Sequence, residues 1–393
     1  MFLSLAYLIS IIFLSSCSDG MKIEVKGITS VFTEQNSLDV MSLELTDGSG
    51  VNESATETTL NWSEYVSSEE ELNLSSNISY QISYKAGSIA PRDCSSDNII
   101  KSADISGVSH TVTNLVESDT YSFRVCALDK EAKEVAVGTQ TVKFESWALE
   151  VTTLSANEVF AIGLDGASPF VVDWGDGKKD VYNLSGINKI VEHKYDSAGV
   201  YILKLRGKAK RINFDNPKAN NKITKILSKV QGIGGITSFE NAFKGVTSLA
   251  GEIPADLFEN TSEVTSFKNT FAGASAISGS IPSELFSSNL KVTSFEGTFN
   301  GASSISGTIP ADLFKNNIKA TSFKSTFGET SAISGSIPEN LFANNPEVTS
   351  FEGVFKGASS ISGTIPENLF AKNTKVKNFD SSFEDTESIA GSI

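Results

Sequence analysis

Two carboxylates stand three residues apart, Asp173 and Asp176, in the run Val171-Val172-Asp173-Trp174-Gly175-Asp176-Gly177. Paired carboxyls about 5–10 Å apart are what a glycosidase needs on either side of a sugar bond. The neighbouring residues favour another use. A valine-rich run into Asp-Gly reads as a strand entering a tight turn, where aspartate serves backbone hydrogen bonding. Farther along, His193 reads as a structural strand residue beside Trp174. The other histidine, His110, reads as a strand surface residue, since no cluster of histidine or cysteine lies near it. Two histidines and three cysteines are few for acid–base, thiol or metal chemistry. No glycine-rich phosphate loop, Ser-His-Asp order or zinc spacing occurs in the chain. The run Glu69-Glu70-Glu71 reads as a solvated loop, with a weak cation site as the other reading. The expectation is a protein without catalysis, cofactor or metal.

The net charge of −15 repels phosphate backbones, which sets nucleic acid aside as a partner. The cysteines carry more information. An uncharged, apolar stretch from Leu5 to Leu14 is too short to span a bilayer and fits a signal-peptide core. It ends in Leu14-Ser15-Ser16-Cys17, which resembles a bacterial lipobox. That resemblance implies cleavage before Cys17 and a lipid anchor on it, and so a cell-envelope, surface-exposed protein whose first partner is the membrane. The n-region lacks its usual Lys or Arg, so the true start is expected upstream. If Cys17 takes lipid, Cys94 and Cys126 remain as an even pair outside the cytoplasm, where a disulfide is expected over two free thiols. Closing a 32-residue loop would stabilise by about 3–4 kcal/mol.

The elements that must carry these residues are short strands at first. Residues 18–43 read as a lead-in. Over 44–146, alternating runs such as Thr59 to Trp62 and Ile78 to Lys85 are separated by turn-rich stretches, the pattern of an all-β sandwich. Trp62, together with Leu115 and Tyr121, resembles the strand tryptophan and tyrosine corner of fibronectin type III domains. Over 147–210, the Trp174-Gly175-Asp176-Gly177 turn with His193-Lys194-Tyr195 and Gly199-Val200-Tyr201-Ile202 resembles PKD domains. Both resemblances imply spacer or interaction modules. Residues 211–235 read as a connector.

From 236 to 393 the chain repeats every 28 residues. Phe239, Phe267, Phe295, Phe323, Phe351 and Phe379 keep that step. So do Phe243, Phe271, Phe299, Phe327, Phe355 and Phe383. The array holds 17 of the 25 phenylalanines, so its core is expected to be aromatic. Val-Thr-Ser-Phe alternates as a short strand, the Phe pair four apart suits a helical turn, and Ile-Pro-x-x-Leu-Phe is expected to open a second short helix. One unit cannot bury its apolar face, whereas stacked units can. Ser306 to Phe314 (Ser-Gly-Thr-Ile-Pro-Ala-Asp-Leu-Phe) is similar to half of a leucine-rich repeat, and the layout resembles BspA-like leucine-rich-repeat surface proteins. The 28-residue unit, the phenylalanines and the placement of asparagine depart from that pattern. The fold class expected is multidomain: two all-β sandwiches followed by a leucine-rich-repeat-like solenoid of short strands and short helices.

The resemblance implies adhesion, with a host or matrix protein, or a glycan, as partner. A carbohydrate-binding lipoprotein accessory to glycan use and a purely structural envelope protein are the alternatives. Glu240, Lys268, Glu296, Lys324 and Glu352 alternate in charge along the array and read either as a stabilising charge ladder or as a recognition strip. Ile393 occupies the position of Ile365, just before the repeat's proline, so a further repeat and a cap are expected downstream.

Overall fold

A computed structural model describes residues 41–42, 45–47, 56–64, 78–219 and 221–391. Cys17, Glu69 to Glu71 and Ile393 lie outside the described residues.

Among the described residues the first unit holds eight strands: β1 (Met41–Ser42), β2 (Leu45–Asp47), β3 (Thr58–Trp62), β4 (Ser79–Ala86), β5 (Asn98–Ile100), β6 (Ser109–Val112), β7 (Thr120–Leu128) and β8 (Glu134–Lys143). They form sheets ordered β1-β8-β7-β4-β5 and β2-β3-β6. Alternation buries Leu60 and Trp62 from one sheet against Ile82, Phe123 and Val125 from the other. Tyr121 closes a corner: its hydroxyl accepts the N–H groups of Glu117 (2.8 Å) and Ser118 (3.2 Å).

The second unit holds β9 (Trp147–Thr153), β10 (Val159–Asp165), β11 (Phe170–Asp173), β12 (Lys179–Tyr182), β13 (Lys189–Lys194), β14 (Gly199–Lys208), β15 (Arg211–Asn213), β16 (Ile223–Ile226) and β17 (Ile233–Gly234). One sheet runs β12-β11-β14-β9-β16, with β17 beside β14, and the other β13-β10-β15. Residues 211–235 thus supply strands to both sheets. Arg206 on β14 joins the two units. Fully buried, it donates to the carbonyls of Leu115 (2.8 Å), Val116 (3.0 Å) and Ser118 (2.9 Å), and its guanidinium lies 5.7 Å from the Phe144 ring centroid. Tyr121 therefore takes two N–H groups of the 115–118 corner while Arg206 takes three of its carbonyls.

The repeats stack as coils in parallel register. Ser238, Ser266, Ser294, Ser322, Ser350 and Asn378 bridge in succession, and the stack starts on β15 through an Arg211–Ser238 bridge. The last described coils add β18 (Gly363–Thr364) paired with β19 (Ile389–Ala390). Equivalent phenylalanines stack ring on ring, with centroids 5.4 Å apart for Phe295 and Phe323 and 5.9 Å for Phe299 and Phe327. The stacks continue into the second unit, where Trp147 meets Phe239 and Phe243 edge-on and Phe214 stacks on Phe243. One apolar core runs from the second sandwich through the array. The sandwich thereby covers the first coil, which would otherwise expose an apolar end.

The short helices expected in each repeat are overturned. Among the described residues the array contains no helix, and its corners are successive four-residue turns closed between residues three apart. Two facts explain this. Alternate N–H groups of the phenylalanine segment bond to the next coil, as from Phe267 to Ser294 (3.0 Å), Asn269 to Glu296 (2.7 Å) and Phe271 to Thr298 (2.8 Å). Only those between them bond within the coil, such as Thr270 to Phe267. Asn241, Asn269, Gly297, Ser325, Gly353 and Ser381 share one repeat position, each with φ between 51° and 62°. A left-handed residue inside the segment stops an i→i+4 ladder from propagating. The Pro-x-x-Leu-Phe segment likewise closes as turns, Leu285 to Pro282 (3.2 Å) and Ser287 to Glu284 (3.0 Å).

Candidate binding surface

The Asp173–Asp176 turn is occupied by its own structure. Asp173 Oδ1 accepts the Gly175 N–H (3.0 Å), and Asp176 Oδ1 accepts the Lys178 N–H (3.1 Å). Their other oxygens face different partners, Lys179 Nζ at 3.3 Å and His193 Nε2 at 2.9 Å. Gly175 has φ 81°, and a Cβ there would meet the Ile202 backbone oxygen at 2.6 Å, so glycine is required. His193 stacks on Trp174 (4.7 Å between centroids), and the Tyr195 hydroxyl donates to the Trp174 carbonyl (3.0 Å). Burial pulls the Asp176 carboxyl upward, but the His193 hydrogen bond, the Lys178 N–H and the nearby charges outweigh it and hold the group low. Burial raises the Tyr195 hydroxyl, with Asp176 adding to the effect.

Cys94 and Cys126 form a disulfide, with Cα atoms 6.2 Å apart. It lies in a small cluster with Leu128, apart from the main core, and pins the loop after β4 to β7. Glu134 lies near both sulfurs, yet it is held by Arg124 (2.9 Å) and the sulfurs are bonded to each other. His110 sits on β6, opposite Leu60 of β3.

The charged column resolves into pairs across coils. Lys268 meets Glu296 at 3.2 Å and Lys324 meets Glu352 at 2.9 Å, whereas Glu240 has no ion-pair partner among the described residues. A second column pairs Glu263 with Lys291 and Glu347 with Lys375, each at 2.6 Å. Hydrogen bonding to Glu352 raises the Lys324 ammonium. Exposed pairs of this kind contribute about 0–1 kcal/mol. Between the charges runs an exposed threonine column, in which the Thr265, Thr293, Thr321 and Thr349 hydroxyls each donate to the threonine carbonyl one coil back, at 2.9–3.1 Å. The threonine bond therefore recurs in four successive coils, and each ion pair of the first column joins two coils.

Sequence reasoning missed the polar columns inside the array. Asn289, Asn317, Asn345 and Asn373 are buried, and each Nδ2 donates to the carbonyl 28 residues back at 2.8–3.0 Å and to the one 31 back at 3.0–3.3 Å. Thr261 heads this column. Thr270, Thr298, Thr326 and Ser382 form another, their hydroxyls beside phenylalanine carbonyls, and Val354 interrupts it. The signal was present: an asparagine recurs three residues after Phe286, Phe314, Phe342 and Phe370.

The repeat region matches, over residues 216–340 and 290–393, the family described as "Mycoplasma protein of unknown function, DUF285". The two matches span less than half of the chain. The array is thus similar to a bacterial repeat family whose function is not assigned. No curated protein matches the chain. Among the described residues no helix is long and apolar enough to cross a membrane.

Proposed function

We propose that the chain is a non-catalytic bacterial surface protein, anchored by lipid on Cys17, that binds a host or matrix protein through its repeat array. The observation that carries this reading is the array itself. Its coils repeat the same exposed columns of hydroxyls and paired charges, so contacts too weak to hold alone can add along an extended partner. The match of the repeats to a bacterial repeat family supports it. So do the likenesses to BspA-like repeats and to fibronectin type III and PKD spacers, which belong to this proposal. In this reading the two sandwiches, joined at Arg206, hold the array away from the membrane.

The test uses cells producing the full chain. Cys17→Ser is expected to release the protein from the envelope and abolish fatty-acid labelling. Cells carrying the intact chain are expected to adhere to immobilised matrix proteins or mucin, and deletion of two coils (56 residues) to weaken that adhesion. Labelling that persists in Cys17→Ser sinks the anchor. Adhesion indifferent to the array sinks the binding role.

A further inference from the structure

The repeat pattern breaks just ahead of its first full coil. Below that point each corner asparagine rests on the coil before it, as Asn289 does on Thr261 and Phe258. The residue 28 before Thr261 is Ile233, and it belongs to β17. There Gly207 donates to Gly232 (2.8 Å) and Ala209 to Gly234 (3.1 Å), and Ile233 registers with Gly207 of β14. The sheet draws this segment away from the corner it would otherwise cover. A recess of about 260 Å³ remains between Val230–Ile236 and Asn260–Glu263.

We propose that this recess is a binding site for one neutral sugar unit, the end of a glycan chain. The proposal deepens the reading of the chain as a binding protein and rests on it. The volume lies below the roughly 300–1,000 Å³ of drug-sized clefts, which suits a single ring. One wall is polar. Asn260 and Ser262 line it, and among the described residues neither side chain has a hydrogen-bond partner. Gln231 spends its Nε2 on Glu145 and Ser146, which leaves its amide oxygen as an acceptor. Amides and a hydroxyl offer donors and acceptors side by side, the pattern that vicinal hydroxyls complement. Gly232, Gly234 and Gly235 also line the recess, where no side chain keeps a ligand off, with the half-buried Ile233 between them. The ionisable group in the lining, Glu263, has both oxygens engaged by Lys291 at 2.6 Å. With no uncommitted charge, the recess favours a neutral ligand over a phosphate, carboxylate or ammonium group.

The test is saturation-transfer NMR on the purified chain with glucose, galactose, mannose, fucose, N-acetylglucosamine and N-acetylgalactosamine, and with glucuronate and inorganic phosphate as charged comparators. At least one neutral sugar is expected to bind, and Asn260→Ala to weaken it about tenfold, as loss of a hydrogen-bonding amide does. Ser262→Ala is expected to weaken it less. An unchanged melting curve separates these effects from misfolding. The proposal is overturned if no neutral sugar receives saturation at millimolar concentration. It is also overturned if both variants bind undiminished, or if glucuronate or phosphate competes as well as the sugars. Lost sugar binding with cell adhesion intact removes the recess alone. Lost adhesion with sugar binding intact removes the surface reading alone.

Discussion

Replacing Asn317 at the centre of the buried asparagine column tests the internal logic of the array. Its Nδ2 donates to the Phe286 carbonyl at 3.2 Å and to the Asn289 carbonyl at 3.0 Å. Alanine removes both donors. Each carbonyl keeps one backbone partner, Asn289 N–H at 3.1 Å and Val292 N–H at 3.3 Å, so neither is fully stranded. The loss is therefore near the low end for a buried hydrogen bond, about 1 kcal/mol each, and the small void brings the total to about 2–3 kcal/mol. Threonine stands at the equivalent position in Thr261 and donates to the Phe258 carbonyl at 2.8 Å. Asn317→Thr should then exchange both bonds to the preceding coil for one to the Phe314 carbonyl of its own, fill part of the void and cost less than alanine. Aspartate is close in shape but, ionised, offers no donor and sets charge against two carbonyl oxygens. Asn317→Asp should be the worst of the three, beyond about 3 kcal/mol. The assay is equilibrium urea unfolding, with hydrogen exchange across residues 286–345 to assign the loss to these coils. An alanine variant within about 0.5 kcal/mol of the parent, or any order other than Asp, Ala, Thr from worst to best, would refute the reasoning.

Three further outcomes follow from the same geometry. Cys94→Ser should destabilise the first sandwich by about 3–4 kcal/mol on the chain-entropy estimate for a 32-residue loop, read as the difference in unfolding free energy between the oxidised parent and the variant. Arg206→Met should leave both sandwiches folded and free them from each other, because three carbonyls lose their donor; small-angle scattering with an unchanged maximum dimension and profile would contradict this. Asp176 has its folded pKa below the unfolded value of about 3.9, so its stabilisation is complete above that value and is lost as pH falls through the folded pKa. Asp176→Asn should accordingly flatten the acid limb of the second sandwich's melting profile below about pH 4, with no change in any turnover.

The 28-residue step of the phenylalanines announced a stacked array with an aromatic interior, and Phe239 to Phe383 stack as that step requires. Alternation in Thr58–Trp62 and Thr120–Leu128 was likewise readable, because burial on one face of a strand writes a period of two. The disulfide followed from counting cysteines. The corners were not readable in the same way. A phenylalanine pair four apart satisfies a helical turn and a left-handed turn equally well, and side-chain spacing does not say where backbone N–H groups go. Four of the six residues at position 269 and its equivalents are asparagine or glycine, which tolerate positive φ, and that was the available hint.

The sequence by itself determined the repeat length, the apolar columns and the turn chemistry around Asp173 and Asp176, because each rests on contacts that are local or strictly periodic. Only the tertiary structure decided what lies between the periodic parts. Arg206 is buried because the first sandwich docks over it. Trp147 is met edge-on by Phe239 and Phe243 of the array. Gly232 to Gly235 read as a linker until β14 draws them aside and opens the recess beside Asn260. Each of these depends on segments tens of residues apart meeting in space, and neither periodicity nor local propensity records such meetings.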